Sequence, residues 1–152
     1  MTRLILITGG SGYLARGIMR QWHDNFVVYS RDEYKQDICK RQYPNATYVL
    51  GDVKDYNRLV QVIKAYNVHT IIHTAAVKFI PEAELNVQEC IDVNVDGTRN
   101  VLEAAWFCEV ENVIGISTDK AVQPINTYGM TKALMERLFI EQARLDKDHH
   151  YA

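Results

Sequence analysis

Four consecutive apolar residues, Leu4-Ile5-Leu6-Ile7, run directly into Thr8-Gly9-Gly10-Ser11-Gly12-Tyr13-Leu14-Ala15, and a helical pattern then continues through Trp22. A short apolar run of this kind reads as a strand buried on both faces. Strand, glycine turn and helix in that order commit the chain to a βα unit. Gly10, Gly12 and Ala15 fit the spacing G-x-G-x-x-G/A, with alanine at the position more often held by a third glycine. Gly10 is expected to permit the tight turn, and Gly12 to let the backbone approach a pyrophosphate. Ala15 is small enough for close helix–strand contact. Free N–H groups and the positive dipole end at the helix start favour phosphate. Thr8, Gly9, Gly10, Ser11, Gly12, Tyr13 and Leu14 are therefore candidate cofactor-binding residues. The plainer alternative is a tight βα turn with no ligand.

The same alternation continues down the chain. Strands are expected at residues 3–8, 26–30, 46–50, 70–74 and 112–117. Helices are expected at about 12–22, 55–66, 87–107 and 128–145, with a weaker one near 33–41. In the longest, Val87, Ile91, Val95, Thr98, Leu102 and Ala105 recur at helical spacing. The pattern predicts an α/β chain: a Rossmann-type doubly wound parallel sheet of about five strands, in the order 3-2-1-4-5, with helices on both faces. Ligands of such sheets sit outside the carboxyl ends of the strands. Gly10, Arg31, Asp52, His73 and Ser117 all fall on that rim.

The 152 residues suffice for one domain, and 47% hydrophobic with 24% charged residues is ordinary for a globular chain. A net charge of −2 provides no basic field for nucleic acid or an anionic membrane. Cys39, Cys90 and Cys108 form no metal-ligand spacing, so no metal is expected, and their scatter suggests reduced thiols in the cytoplasm. No signal peptide is apparent, and no stretch reaches the ~20 apolar residues a bilayer span needs.

Ser30-Arg31-Asp32 follows the second strand, with Lys35 close behind. An acid there suits the free ribose 2′-hydroxyl of NAD, whereas an arginine accommodates the 2′-phosphate of NADP. Arg31 comes first and can fork onto a phosphate, so NADP is expected, with NAD the alternative. After the third strand, Asp52 is placed to accept from an adenine amino group and Val53 to pack on the ring. Asp52 reads equally well as the N-cap of the next helix. Thr74, Ala75 and Ala76 follow the fourth strand, where small side chains let a cofactor lie close. His73 reads as a structural, hydrogen-bonded residue. Lys78 faces the expected cleft. Asn94, a polar residue within the long helix, needs a partner, such as a water or backbone group behind the active-site lysine.

The fifth strand ends in Ser117-Thr118-Asp119-Lys120, and Tyr128-Gly129-Met130-Thr131-Lys132 begins eight residues after Lys120. On a helix, Tyr128 and Lys132 share one face. A free phenol has a pKa of about 10, and using one as a base near pH 7 requires lowering that by roughly 3 units, or about 4 kcal/mol. An ammonium beside it supplies part of that shift. The plainer alternatives are a solvated helix face for Tyr128 and Lys132 and a surface ion pair for Asp119 and Lys120.

Thr-Gly-Gly-Ser-Gly, Gly-Asp-Val, His-Thr-Ala-Ala, Asn-Val-Asp-Gly-Thr and Tyr-Gly-Met-Thr-Lys together resemble the extended short-chain dehydrogenase/reductases. Ser-Thr-Asp-Lys-Ala at 117–121 and the run from His73 to Glu84 resemble the polysaccharide-biosynthesis branch, typified by inverting UDP-N-acetylglucosamine 4,6-dehydratases. The resemblance covers essentially the whole chain. It implies that Tyr128, assisted by Lys132, takes the proton of the sugar 4-hydroxyl while hydride passes to NADP⁺. Lys120 would then remove the C5 proton, Asp119 would assist loss of the 6-hydroxyl, Thr118 would hold the 4-oxygen, and hydride would return to C6. Retaining sugar dehydratases typically carry glutamate where this chain has Lys120. The resemblance implies a UDP-N-acetylglucosamine-type substrate. Members run to about twice this length. The chain is thus expected to lack the C-terminal substrate domain, to leave its fifth strand as an exposed edge, and to turn over nucleotide sugar poorly alone. Its expected partner is a homo-oligomeric copy or a missing C-terminal half. A 4-epimerase or reductase of the same superfamily, or a non-catalytic NADP-binding module, are the alternatives.

Overall fold

The computed structural model describes residues 4–22 and 25–152. Residue 3, placed in the first strand by the sequence, lies outside them. The strands are β1 (Leu4–Thr8), β2 (Asn25–Ser30), β3 (Thr47–Leu50), β4 (Val68–His73), β5 (Asn112–Gly115) and β6 (His150–Tyr151). They form one parallel sheet in the order β3-β2-β1-β4-β5-β6. The helices are α1 (Tyr13–Gln21), α2 (Glu33–Gln42), α3 (Tyr56–Ala65), α4 (Ile80–Leu85), α5 (Val87–Ile91), α6 (Gly97–Phe107) and α7 (Thr127–Leu145).

Strand periodicity divides the core in two. Leu6, Val27, Tyr29, Ile71 and Val113 point to one face, where Leu59 and Ile63 of α3, Val101 and Leu102 of α6 and Met135 of α7 cover them. Ile7, Val28 and Ile72 point to the other, against Ala15 and Met19 of α1 and Cys39 of α2. Leu6 and Ile7 are fully buried, one on each side, which is the physical reason β1 contains no polar alternation. Deleting either side chain to alanine is worth about 2–5 kcal/mol. The register aligns the strand ends: Thr8 pairs with Tyr29 and His73, and His73 with Gly115. One rim therefore carries all the carboxyl-end turns.

Four features depart from expectation. The fifth strand is not the edge, because β6 pairs with it, and Ala152 N donates to Val113 O at 2.9 Å. The helix expected at 87–107 is three pieces: α5, a π-helical turn over Asp92–Asp96, and α6. A π turn inserts an extra residue and so shifts the helical phase: Val87 of the expected stripe is 45% exposed, and the buried positions across the turn are Cys90, Val93, Asn94, Gly97 and Thr98. Helix α4 was absent from the expected elements. The left-handed residue of the glycine turn is Gly9, at φ +65°, rather than Gly10. Gly10 is required for another reason: a Cβ there would sit 2.7 Å from Ile7 O.

Candidate functional site

A cavity of about 510 Å³ runs along the rim from the glycine turn to α7. At its first end, Gly9, Ser11, Gly12, Tyr13 and Leu14 line the wall. Gly12 caps α1 with no side-chain hydrogen bond, and the first turn carries no acid. The open N–H groups and helix dipole thus face the cavity unopposed, a chemistry that suits phosphate. A Cβ on Gly9 would lie 2.9 Å from Ala75 Cα, so the turn closes on the strand only without a side chain. Thr8 and Gly10, both expected to touch a cofactor, are buried behind the turn and do not line the cavity.

At the second end lie Ser30, Arg31, Asp32, Lys35, Asp52 and Val53. Asp32 Oδ1 accepts from Lys35 N at 2.9 Å and caps α2. Asp52 is not the N-cap of α3; Asp55 is, accepting from Arg58 N at 2.9 Å. Asp52 instead accepts from Lys54 N at 3.0 Å, and its backbone carbonyl accepts from Tyr29 Oη at 2.9 Å. Arg31 Nη1 donates to Glu89 Oε1 at 3.2 Å and lies 3.7 Å from Asp52 Oδ2.

Thr74, Ala75, Ala76 and Lys78 line the middle, joined by Phe79 and Val93. Asn94 does not line it. The backbone partner expected for this buried amide is Val77. Its Oδ1 accepts from Val77 N at 2.8 Å, and its Nδ2 donates to Val77 O at 2.9 Å and Thr131 Oγ1 at 3.0 Å. Nearby, Thr98 Oγ1 donates to Asn94 O at 2.7 Å, so His73 Nε2, 3.0 Å away, must donate to Thr98. His73 Nδ1 then accepts from Thr8 Oγ1 at 2.7 Å. Burial, with the nearby Lys132 charge, pushes the His73 pKa down to about 3, so it is a neutral structural residue.

At the end nearest α7 the cavity meets Ile116, Ser117, Tyr128 and Lys132. Asn126 caps α7 by accepting from Gly129 N at 2.8 Å, which sets Tyr128 in the first turn and Lys132 one turn on. Lys132 is 4% exposed. Its Nζ donates to Ile116 O at 2.5 Å and approaches Met135 Sδ at 2.8 Å. Burial pushes its pKa down to about 8, with Glu136 opposing the shift. Glu136 also accepts from Ser117 Oγ. Ser117 was expected as a rim position only and Glu136 not at all, although Glu136 follows Lys132 by one helical turn and its helical face could have flagged it.

Thr118, Asp119 and Lys120 do not line this cavity. Residues Asp119–Ala121 form one 3₁₀ turn, capped by Thr118. Lys120 Nζ lies 2.8 Å from Asp119 Oδ2, and the Asp119 side chain is 80% exposed. Hydrogen bonds from Lys120 and Thr118 hold the Asp119 carboxyl below its usual range. The turn packs on the start of α7: a Cβ on Gly129 would sit 2.2 Å from Lys120 O. Thr118, Asp119 and Lys120 are thereby fixed next to Tyr128 in chain geometry but occupy the solvent side.

A parallel sheet with a phosphate-suited glycine turn after β1 and a Tyr-x-x-x-Lys pair on the helix after β5 defines a short-chain dehydrogenase/reductase type of Rossmann domain. Residues 5–152 match the family described as polysaccharide biosynthesis protein, and the chain belongs to that family. It is 39% identical over 143 residues to the UDP-N-acetylglucosamine 4,6-dehydratase (inverting) of Campylobacter jejuni, covering 90% of this chain and 42% of that one. It is 38% identical over 154 residues to a UDP-glucose 4-epimerase of Rickettsia bellii, covering 95% and 45% respectively. Among solved structures, Pen from Bacillus thuringiensis matches with a TM-score of 0.89 at 31% identity, over 93% of this chain and 45% of that one. The chain spans less than half the length of these three proteins. Among the described residues, no helix is long and apolar enough to cross a membrane.

Proposed function

We propose that this chain provides the NADP-binding and acid–base part of a nucleotide-sugar 4,6-dehydratase that acts on a UDP-N-acetylglucosamine-type substrate and inverts C5. The observation that carries this reading is the Asp119–Lys120 contact at 2.8 Å, on a turn packed against the helix of Tyr128 and Lys132. Oxidation at a sugar carbon needs one base. Loss of water also needs a second base and an acid, and this pair supplies both.

When bound, the nicotinamide cofactor supplies a reversible acceptor for the electron pair at the sugar carbon. Tyr128 accepts the 4-hydroxyl proton, and Lys132 holds positive charge beside it from a position pinned to the end of β5. Ser117, its proton committed to Glu136, offers lone pairs to a sugar hydroxyl. Lys120 removes the C5 proton while Asp119 protonates the departing 6-hydroxyl. For this, the ion pair must first become a neutral amine and a neutral acid, which a single proton transfer across their contact achieves. In water the ordinary pKa values of a carboxyl and an ammonium lie about 6.5 units apart, and the hydrogen bonds that hold Asp119 low oppose that transfer further. A substrate covering the pair narrows the gap, because burial raises an acid and lowers an ammonium.

Prolonged incubation of a high concentration of the chain with UDP-N-acetylglucosamine and NADP⁺, followed by mass analysis, tests the reading. A product lighter by one water supports it. A product of unchanged mass with altered C4 configuration favours the second reading, a 4-epimerase, which the Rickettsia bellii relative supports.

A further inference from the structure

The adenosine end of the cavity is electrically balanced. Arg31, Lys35 and Lys54 stand against Asp32, Asp52 and Glu89. Two of these contacts arise within a turn: Lys35 with Asp32, and Lys54 N with Asp52. Glu89 is different, because it reaches this end from α5, a separate element lying 58 residues along the chain from Arg31. Its Oε1 accepts from Arg31 Nη1 at 3.2 Å and from Lys54 Nζ at 2.9 Å, and its Oε2 from Lys54 Nζ at 3.0 Å. Arg31 lines the cavity and Glu89 does not. Glu89 therefore holds the guanidinium from behind, without competing for space inside.

A carboxylate and a phosphate are alternative acceptors for the same guanidinium fork. We propose that Glu89 sets cofactor discrimination by serving as an internal substitute for the ribose 2′-phosphate on Arg31, so that neutralising Glu89 strengthens binding of 2′-phosphorylated adenosine nucleotides selectively. The proposal rests on the NADP reading above. Glu89 draws Arg31 toward α5 and offsets its charge. An incoming 2′-phosphate must share or displace that contact and also meets the carboxylate's repulsion. A nucleotide with a free 2′-hydroxyl makes no such demand on Arg31. The local balance thus keeps the preference for the phosphorylated cofactor smaller than Arg31 alone would give.

The test is calorimetric titration of the full chain with 2′,5′-ADP and 5′-AMP as probes. Glu89→Gln is expected to bind 2′,5′-ADP about twofold to fivefold tighter than the parent, the size of an exposed ion pair, with 5′-AMP unchanged. Glu89→Ala should change in the same direction. The gain should vanish when Arg31→Met is added, because the effect passes through Arg31. It should also shrink as ionic strength rises from about 0.1 to 1 M. Unchanged or weaker 2′,5′-ADP binding in both Glu89 variants overturns the proposal, as does equal strengthening of both probes. The NADP reading is judged separately, on the parent alone. A parent that binds 2′,5′-ADP no tighter than 5′-AMP rejects that reading, whereas the Glu89 effect is read from the ratio of variant to parent.

Discussion

Replacing Asn94 by alanine should unlatch one wall of the cavity. The amide bonds both backbone groups of Val77 and the Thr131 hydroxyl, at 2.8, 2.9 and 3.0 Å. Each bond contributes about 1 kcal/mol net, and a buried donor left without a partner costs about 1–3 kcal/mol. Losing all three and stranding the Val77 N–H predicts a loss of about 4–6 kcal/mol, in the range reserved for broken buried networks. Urea unfolding followed by far-ultraviolet circular dichroism measures it. Amide hydrogen exchange should show Val77 losing protection before the strands do. Because residues 74–79 contribute Thr74, Ala75, Ala76, Lys78 and Phe79 to the cavity, nucleotide affinity should fall as well. Asn94→Asp keeps an acceptor for Val77 N but buries a carboxylate against the Val77 carbonyl, and should destabilise at least as much as alanine in both assays. A loss below about 1 kcal/mol for Asn94→Ala, with Val77 still protected, would show that the latch is redundant.

Three further outcomes follow from the site. Tyr128→Phe should leave nucleotide affinity within about twofold of the parent and abolish turnover, read by calorimetry and product analysis, since one hydroxyl at the cavity wall is all that changes. Lys132→Met should stabilise the chain at pH 7. The depressed pKa of about 8 means that the folded state resists the lysine charge, a penalty of about 3 kcal/mol that is present below pH 8 and relieved as pH rises toward 10.5. The stability difference between Lys132→Met and the parent should therefore narrow across that window in paired urea titrations, and a constant difference would refute the assignment. Asp146→Ala should loosen β6, because Asp146 Oδ2 accepts from Tyr151 Oη and His149 Nδ1, both at 2.8 Å, and Oδ1 from Asp148 N at 3.0 Å. A loss of about 2–3 kcal/mol, with early exchange of the Ala152 amide, is expected.

The central sheet was legible because its signals are strong. Leu4 to Ile7 is apolar without interruption, the glycines follow at once, and strand order then comes from topology rather than from any single residue. The rim positions came with it. What escaped was local. Helix α4 is a six-residue helix in a stretch with little helical periodicity. The two residues of β6 are too few to show alternation. The π turn at Asp92–Asp96 shifts the helical phase, so that Cys90, Val93 and Asn94 are buried in place of the expected Val87, Ile91 and Val95, and Asn94 meets Val77. Past Gly115 the strand gives way to a 3₁₀ turn, so which of Ser117 and Thr118 faces inward depends on dihedral angles that residue type does not dictate. Glu89 and Arg31 lie too far apart in sequence for any spacing rule to join them.

The buried chain Thr8–His73–Thr98–Asn94 has a fixed polarity. Each hydroxyl already donates onward, and the imidazole stays neutral down to about pH 3. At neutral pH its imidazole takes up no proton, so the line adds no charge to the core. It runs beneath the cavity from β1 to the helix carrying Asn94. Under the acid–base role proposed for Tyr128, the sheet beneath it therefore stays electrically silent, and the proton is exchanged with solvent and substrate at the open mouth of the cavity.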